Sequence, residues 1–445
     1  LRTLYRLHRN GFIAYLVGGC VRDLLLSRTP KDFDIATNAT PGQIKRLFRN
    51  CRLIGRRFRL AHIHFQDEIL EVSTFRRAGV PSDSEEVEIP GRGIRPPRHV
   101  KDEEGMVLVD NVFGTPEEDA LRRDFTINAL AYNIADFSVI DYSTGLEDLH
   151  CRIIRLIGDP RVRFTEDPIR MLRAVRFAAS HGFDIEQEAW EAMCDLAPSI
   201  ARASSSRLYE EMQKLFLLGS ARPAFVLLER SGLLGVLFPG LARWVYSDGH
   251  RLAVVLANLD WFDKLVGSQT PATPSLLMAA LFGPTIEKEA LNVHRTGIPG
   301  PQALEETCNL FMKEISETVC VPRKISDRMR SILALQRGLR KMPPRRPASL
   351  AARPEFPEAL TYLRLGVETR SEQKAACTWW EDFLLHAPPP APSETPIEET
   401  PEKRHKKRRR RRRRPGQAPK EASPPLAGVS TDSLPAQSSA ESTIT

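Results

Sequence analysis

The pattern of apolar and polar positions changes character twice along the chain. Over the first 150 residues, short apolar runs rich in β-branched and aromatic side chains recur at Phe12–Val17, Phe33–Thr37, Leu60–Phe65, Ile69–Phe75 and Phe137–Tyr142. Runs of this length, separated by turn-forming residues, predict strands. Between them Val21–Leu26 and Ile44–Phe48 predict helices, the second opened by Thr40 as cap and Pro41 at the first helical position. Ser82–Glu104 is rich in Gly, Pro and charge and predicts a mobile surface insertion.

From Cys151 to Leu385 the period lengthens to that of helices. Leu208, Met212, Leu215 and Phe216 fall at i, i+4, i+7 and i+8, one face of an amphipathic helix, with Gly219 as its expected C-cap. From His386 onward the apolar pattern disappears, and 11 of the 34 prolines lie there among Ser, Ala and Glu. Such a segment cannot bury enough apolar surface to offset its ordering entropy and is expected to be disordered. The expected class is α+β. A mixed α/β region spans 1–150, helical regions span 151–218 and 219–385, and a loose tail spans 386–445.

Composition narrows the function classes. In 445 residues, 42% are hydrophobic and 27% charged, enough to bury cores in the first 385 and too apolar for a wholly disordered chain. The seven cysteines are dispersed with no C-x-x-C pair, which argues for reduced thiols, a cytoplasmic location, and neither a disulfide scaffold nor a cysteine zinc site. No apolar run approaches the roughly 20 residues of a membrane span, so no membrane partner is expected. The first residue is Leu1 rather than methionine, which points to a longer natural chain.

Charge is placed unevenly. Of the net +8, the last 60 residues carry 12 Lys/Arg against 7 Asp/Glu, and Lys403–Arg414 holds 11 basic residues in 12 positions. A polyanion, RNA foremost, is the natural partner of such an arm.

Three constellations carry candidate chemistry. In Leu16-Val17-Gly18-Gly19-Cys20-Val21-Arg22-Asp23, a strand runs into a glycine pair and then a helix. Gly18 and Gly19 let backbone N–H groups approach an oxyanion, and Arg22 is placed to reach a phosphate. Asp32-Phe33-Asp34 puts two carboxylates on one strand face, with Phe33 expected in the core. Two like charges so close call for a cation, and divalent metal beside substrate phosphates is the usual answer in phosphoryl transfer. Glu71 and Asp124 are the two candidates for a third acid, and periodicity leaves both open. In Glu166-Asp167-Pro168-Ile169-Arg170-Met171-Leu172-Arg173-Ala174-Val175-Arg176, Asp167 is expected to cap a helix with Pro168 at its first position. Arg170, Arg173 and Arg176 share one side of it. A carboxylate accepting from an exocyclic amine beside a guanidinium donating to a ring nitrogen would select adenine or cytosine over guanine or uracil.

These residues resemble the class II nucleotidyltransferases of the polymerase-β superfamily, which comprise bacterial poly(A) polymerases and CCA-adding enzymes. The resemblance covers about residues 10–180 and rests on Gly18-Gly19-x-x-Arg22-Asp23, Asp32-x-Asp34, Arg122-Arg123-Asp124-Phe125-Thr126-x-Asn128 and Glu166-Asp167-x-x-Arg170. It implies a nucleotidyltransferase head over 1–150, a helical neck with the base-recognition motif over 151–218 and an RNA-binding helical body over 219–385. It further implies metal-dependent, template-independent addition of nucleotides to RNA 3′ ends. By the same resemblance Asp32 and Asp34 bind Mg²⁺, Asp124 is the further catalytic acid, and Gly18, Gly19, Arg22 and Arg123 hold phosphates and ribose. Asp167, Arg170 and Arg173 hold the base. Leu53-Ile54-Gly55-Arg56-Arg57-Phe58-Arg59-Leu60-Ala61-His62-Ile63-His64-Phe65 resembles the marker of the bacterial poly(A) polymerase branch, and the basic tail fits that branch too. The expected substrates are ATP and RNA 3′ ends, with RNA-decay proteins as further candidate partners in mRNA processing and decay. Two alternatives stand beside this: a tRNA CCA-adding enzyme, told apart by product length, and a catalytically idle RNA-binding protein, which intact Asp32 and Asp34 argue against. His62 and His64 share a strand face without an evident third metal ligand, and Trp379-Trp380 is expected to pack in the core.

Overall fold

The computed structural model describes residues 1–54, 60–65, 68–77, 99–101, 107–110, 113–268, 272–366 and 372–386. The arginines expected at Arg56, Arg57 and Arg59, most of the insertion expected over 82–104 and the disorder expected from 387 onward lie outside these residues.

The N-terminal part runs α1 (Arg2–Arg9), β1 (Ala14–Val17), α2 (Gly19–Leu25), β2 (Asp34–Thr37), α3 (Pro41–Leu47), β3 (Cys51–Ile54), β4 (Leu60–Phe65) and β5 (Glu68–Thr74). It continues with β6 (His99–Lys101), β7 (Val107–Asp110), α4 (Pro116–Leu121), β8 (Ala131–Asn133), β9 (Val139–Ile140) and α5 (Gly145–Cys151). Seven strands form one sheet in the order β3-β4-β5-β2-β1-β8-β9, and β6 and β7 form a separate antiparallel pair. The β2–β5 pairing is parallel, and the other pairings in the large sheet are antiparallel.

Alternation along the strands divides the sheet into two faces. Leu16, Ile35, Ile63 and Val72 point into the main core, while Val17, Ala36, Phe75 and Ala131 form a small apolar patch on the other side. Two residues before Ala36, Asp34 shares the face of that patch. The α3 start is built as expected, with Gln43 Oε1 accepting from the Thr40 N–H at 2.8 Å and Pro41 opening the helix.

Helices make up most of the remainder. A two-stranded parallel pair, β10 (Ile153–Ile154) and β11 (Asp184–Ile185), brackets α6 (Pro160–Glu166) and α7 (Ile169–His181), and α8 (Gln187–Leu196) and α9 (Ser205–Phe216) follow. The α9 helix closes at Leu217, two residues before the left-handed Gly219 that was expected as its cap. Further helices continue to Glu372–His386. In the long helix Pro274–Arg295, Pro284 brings no N–H, which frees the Ala280 carbonyl, and the buried Asn258 amide donates to it at 3.2 Å. Trp380 is fully buried with its indole N–H on the Leu339 carbonyl at 3.0 Å, so it packs rather than stacks bases. No described helix is long and apolar enough to cross a membrane.

Candidate active site

The carboxylates gather at the exposed end of β2. The strand opens at Asp34, one residue later than the pattern predicted, so Asp32 precedes it in irregular backbone and Phe33 is 45% exposed. The expectation that Phe33 enters the core is therefore corrected: strand alternation does not extend back to it. Asp34 stands directly across from Glu71 in the parallel β2–β5 register. Burial raises the Asp34 pKa, the negative charges of Glu71 and Asp32 raise it further, and the Arg123 charge pulls the other way. The register thus sets Glu71, which periodicity left open, across from Asp34.

Asp124 is held in a different set of contacts. Its Oδ2 accepts from Arg173 Nε at 2.6 Å, and its Oδ1 accepts from the Phe125 N–H at 2.9 Å and Asn128 Nδ2 at 3.2 Å. Burial works against the charged form, but the Arg173 guanidinium and these hydrogen bonds outweigh it and hold the pKa at about 2. Arg173, expected at the base, is likewise committed to this pair.

The glycine loop sits beside Arg123. Gly18 has φ +79° and ψ −134°, a conformation reserved for glycine, and a Cβ there would lie 2.9 Å from Arg123 Nη1. Arg123 is aimed by Asp119, whose Oδ2 accepts from Nη2 at 3.0 Å, and by the Asn128 carbonyl, 3.3 Å from Nη1. Arg22 departs from expectation. It is 6% exposed, with Nε and Nη2 on Asp23 at 2.9 and 2.7 Å, Nη1 on Asn128 at 2.7 Å, and its plane over Phe177. A guanidinium held in this way braces the loop.

The α7 region also differs in detail. Helix α7 begins at Ile169, and the Asp167 carboxylate does not cap it. Both oxygens instead accept from the Arg207 fork on α9, at 3.1 and 2.8 Å. Arg170 donates to the Arg163 carbonyl at 2.7 Å and to Glu166 at 3.2 Å, and Arg176 pairs with Glu211. The three arginines that share a helix side thus end on three separate acids.

Sequence reasoning missed Asp119, Arg163, Arg207 and Glu211, and gave Asn128 a place in a motif without a role. Asp119 was legible in principle, because Arg122 and Arg123 follow it at i+3 and i+4 just past the end of α4. Arg163 donates to the carbonyls of Arg122 and Arg123 from 40 residues away, and no local spacing announces that. Among the described residues, no three His, Cys, Asp or Glu side chains converge closely enough to enclose a metal ion.

The chain matches three family models: "Poly A polymerase head domain" over residues 14–155, "Probable RNA and SrmB- binding site of polymerase A" over 182–245, and "Polymerase A arginine-rich C-terminus" over 296–415. It is 40% identical to Poly(A) polymerase I of Salmonella typhi over 397 residues, covering 87% of this chain and 83% of that protein. The chain belongs to the poly(A) polymerase family. A CCA-adding enzyme from Leuconostoc mesenteroides is 39% identical, but over 237 residues, 53% of this chain. Among solved structures, the Bacillus stearothermophilus CCA-adding enzyme in complex with CTP superposes with a TM-score of 0.59 at 26% identity, covering 86% of this chain and 81% of that one. The likeness to CCA-adding enzymes reaches nearly the whole chain in fold, whereas the sequence likeness reported for the Leuconostoc enzyme covers about half. The enzyme is therefore a nucleotidyltransferase of the polynucleotide adenylyltransferase kind.

Proposed function

We propose that this enzyme adds AMP from ATP to RNA 3′ ends without a template. The observation that carries the reading is the sequence relationship to a poly(A) polymerase over 87% of the chain, with the CCA-adding relative confined to 53%. The RNA 3′-oxygen forms a bond to the ATP α-phosphorus as the bond to the pyrophosphate oxygen breaks, and the hydroxyl proton passes to solvent water.

The donor set at β2 suits a hard divalent cation such as Mg²⁺. Asp32, Asp34 and Glu71 supply only carboxylate oxygens, and Glu71 and Asp32 add to the rise in the Asp34 pKa that burial causes. When bound, Mg²⁺ would stabilise charge on the nucleophile and the leaving group. This reading places Glu71 in the third position and makes Asp124 a positioning group. Arg123, aimed from Asp119 past Gly18, holds the triphosphate. Asp167 accepts from the adenine amine and Arg170 donates to the neighbouring ring nitrogen, with Arg207 and Glu166 fixing their orientation. Positioning and electrostatics supply most of the rate. RNA-decay proteins as partners and a cytoplasmic location belong to the same proposal.

The test is primer extension with Mg²⁺ and each NTP separately, on an unstructured RNA and on a tRNA lacking its CCA end. Long ladders with ATP on the plain RNA support the reading, and the Asp34→Ala enzyme should bind RNA yet extend nothing. Short C and A additions confined to the tRNA would make it a CCA-adding enzyme. Extension of neither RNA would favour an idle RNA-binding protein.

A further inference from the structure

The marker stretch singled out in the sequence ends on β4, which is separated from β2 by the single strand β5. Two registers connect them. His62 on β4 stands opposite Glu71 on β5, and Glu71 stands opposite Asp34 on β2. One row of residues across three strands thus carries an imidazole and two carboxylates.

The contact within that row is direct. His62 Nε2 lies 3.2 Å from Glu71 Oε1, and the His62 side chain is 17% exposed while that of Glu71 is 48% exposed. The ring is not rotated into hydrogen-bond alignment, which leaves Nε2 as a buried polar atom without an aligned partner. At 3.2 Å the two atoms are within hydrogen-bond reach of each other. A glutamate half open to solvent has three free torsions, and ordering such a side chain costs rotamer entropy. A buried neighbour that fixes its carboxylate lowers that cost at the moment a cation binds.

The kind of partner also matters. Asp124 meets the guanidinium of Arg173, a permanent cation that spends the carboxylate's charge. Glu71 meets an imidazole, whose N–H can donate without bringing a permanent positive charge. A carboxylate held in this way keeps its charge for a metal, and hydrogen bonding of ligating carboxylates by an outer shell is how metal sites are commonly oriented.

We propose that His62 is a positioning residue of the active site, donating from Nε2 to hold the Glu71 carboxylate beside Asp34. The proposal rests on the reading of Glu71 as the third carboxylate. It gives the β4 end of the marker stretch a role in assembling the catalytic acids.

The experiment titrates Mn²⁺ into the full chain and follows binding by EPR for the parent and for His62→Gln, His62→Leu and Glu71→Gln, with thermal unfolding recorded for each. Gln can place an amide N–H where Nε2 stands, and Leu cannot. His62→Leu should weaken Mn²⁺ binding roughly tenfold at an unchanged unfolding midpoint, and His62→Gln should recover most of that loss. Glu71→Gln that binds Mn²⁺ like the parent would overturn the three-carboxylate reading and this inference with it. If Glu71→Gln weakens binding but His62→Leu does not, the trio stands and His62 has no positioning role. Equal weakening in Gln and Leu would overturn the hydrogen bond as the means.

Discussion

Arg173 Nη2 lies 2.6 Å from the Asp124 carboxylate, joining helix α7 to the loop that carries Arg123. The pair is 49 residues apart in sequence and closes against Phe177, over whose ring Arg22, Arg173 and Arg176 all lie. Removing one partner of a buried pair leaves an uncompensated charge, and because Arg173 is about one-third exposed the cost is discounted to about 2–3 kcal/mol. Asp124→Asn should therefore lower unfolding stability by about that amount at pH 7, measured by denaturant titration. The pH dependence has a definite sign. The folded pKa of about 2 lies below the ordinary 3.8, so this stabilisation is present above about pH 4 and is lost as pH falls toward 2. The Asn variant should lack that component of acid unfolding. If Asp124→Asn abolished Mn²⁺ binding while keeping parental stability, Asp124 would be a metal ligand after all.

Local pattern carried much of this architecture. The β4 strand runs over the stretch its alternation marks, and Thr40-Pro41 starts a helix as its chemistry dictates. The short β3 and β8 strands were missed, β3 because Arg52 interrupts its apolar run and β8 because it has only three residues. The site was legible as a set of residue types and not as a set of partners. Glu71 could be placed only by the parallel register of β2 with β5, which depends on the path of the intervening chain. Asp167 read as a cap because capping chemistry is local, whereas its actual partner, Arg207, arrives from α9 through tertiary packing.

Gly18 offers a test of Arg123. A side chain at φ +79° costs on the order of 1–3 kcal/mol, and here its Cβ would also crowd Arg123 Nη1 at 2.9 Å. Gly18→Ala should raise KM for ATP roughly tenfold, the scale of one charged hydrogen bond, beyond its effect on stability. An unchanged KM in a folded variant would remove Arg123 from the triphosphate.

On the proposed base reading, nucleotide choice depends on Asp167 being held by Arg207. With the Arg207 fork removed, the carboxylate is free to rotate, and adenine loses a fixed acceptor. Arg207→Ala is predicted to reduce the preference for ATP over GTP roughly tenfold in single-nucleotide addition, with kcat for ATP falling less. The comparison with Arg170→Ala is informative, because that side chain is braced separately by Glu166 and the Arg163 carbonyl. Both variants should blur selection, and a variant that keeps parental selectivity marks a residue outside base reading.

RNA affinity should divide between the folded enzyme and the arginine-rich segment. Residues 403–414 carry 11 basic side chains and no apolar ones, a composition for phosphate contact and not for reading sequence. On single strands each neutralised phosphate contributes about 0.7 to the slope of log affinity against log salt. If five of these side chains engage RNA, deleting the segment should flatten the slope by about 3.5. Affinity should drop at low salt and converge with the parent at high salt, while the kcat for adding one nucleotide stays near parental. Filter binding across a salt series reads the first two effects, and single-turnover extension reads the third. A parental salt slope after the deletion would assign the arm to a partner other than RNA.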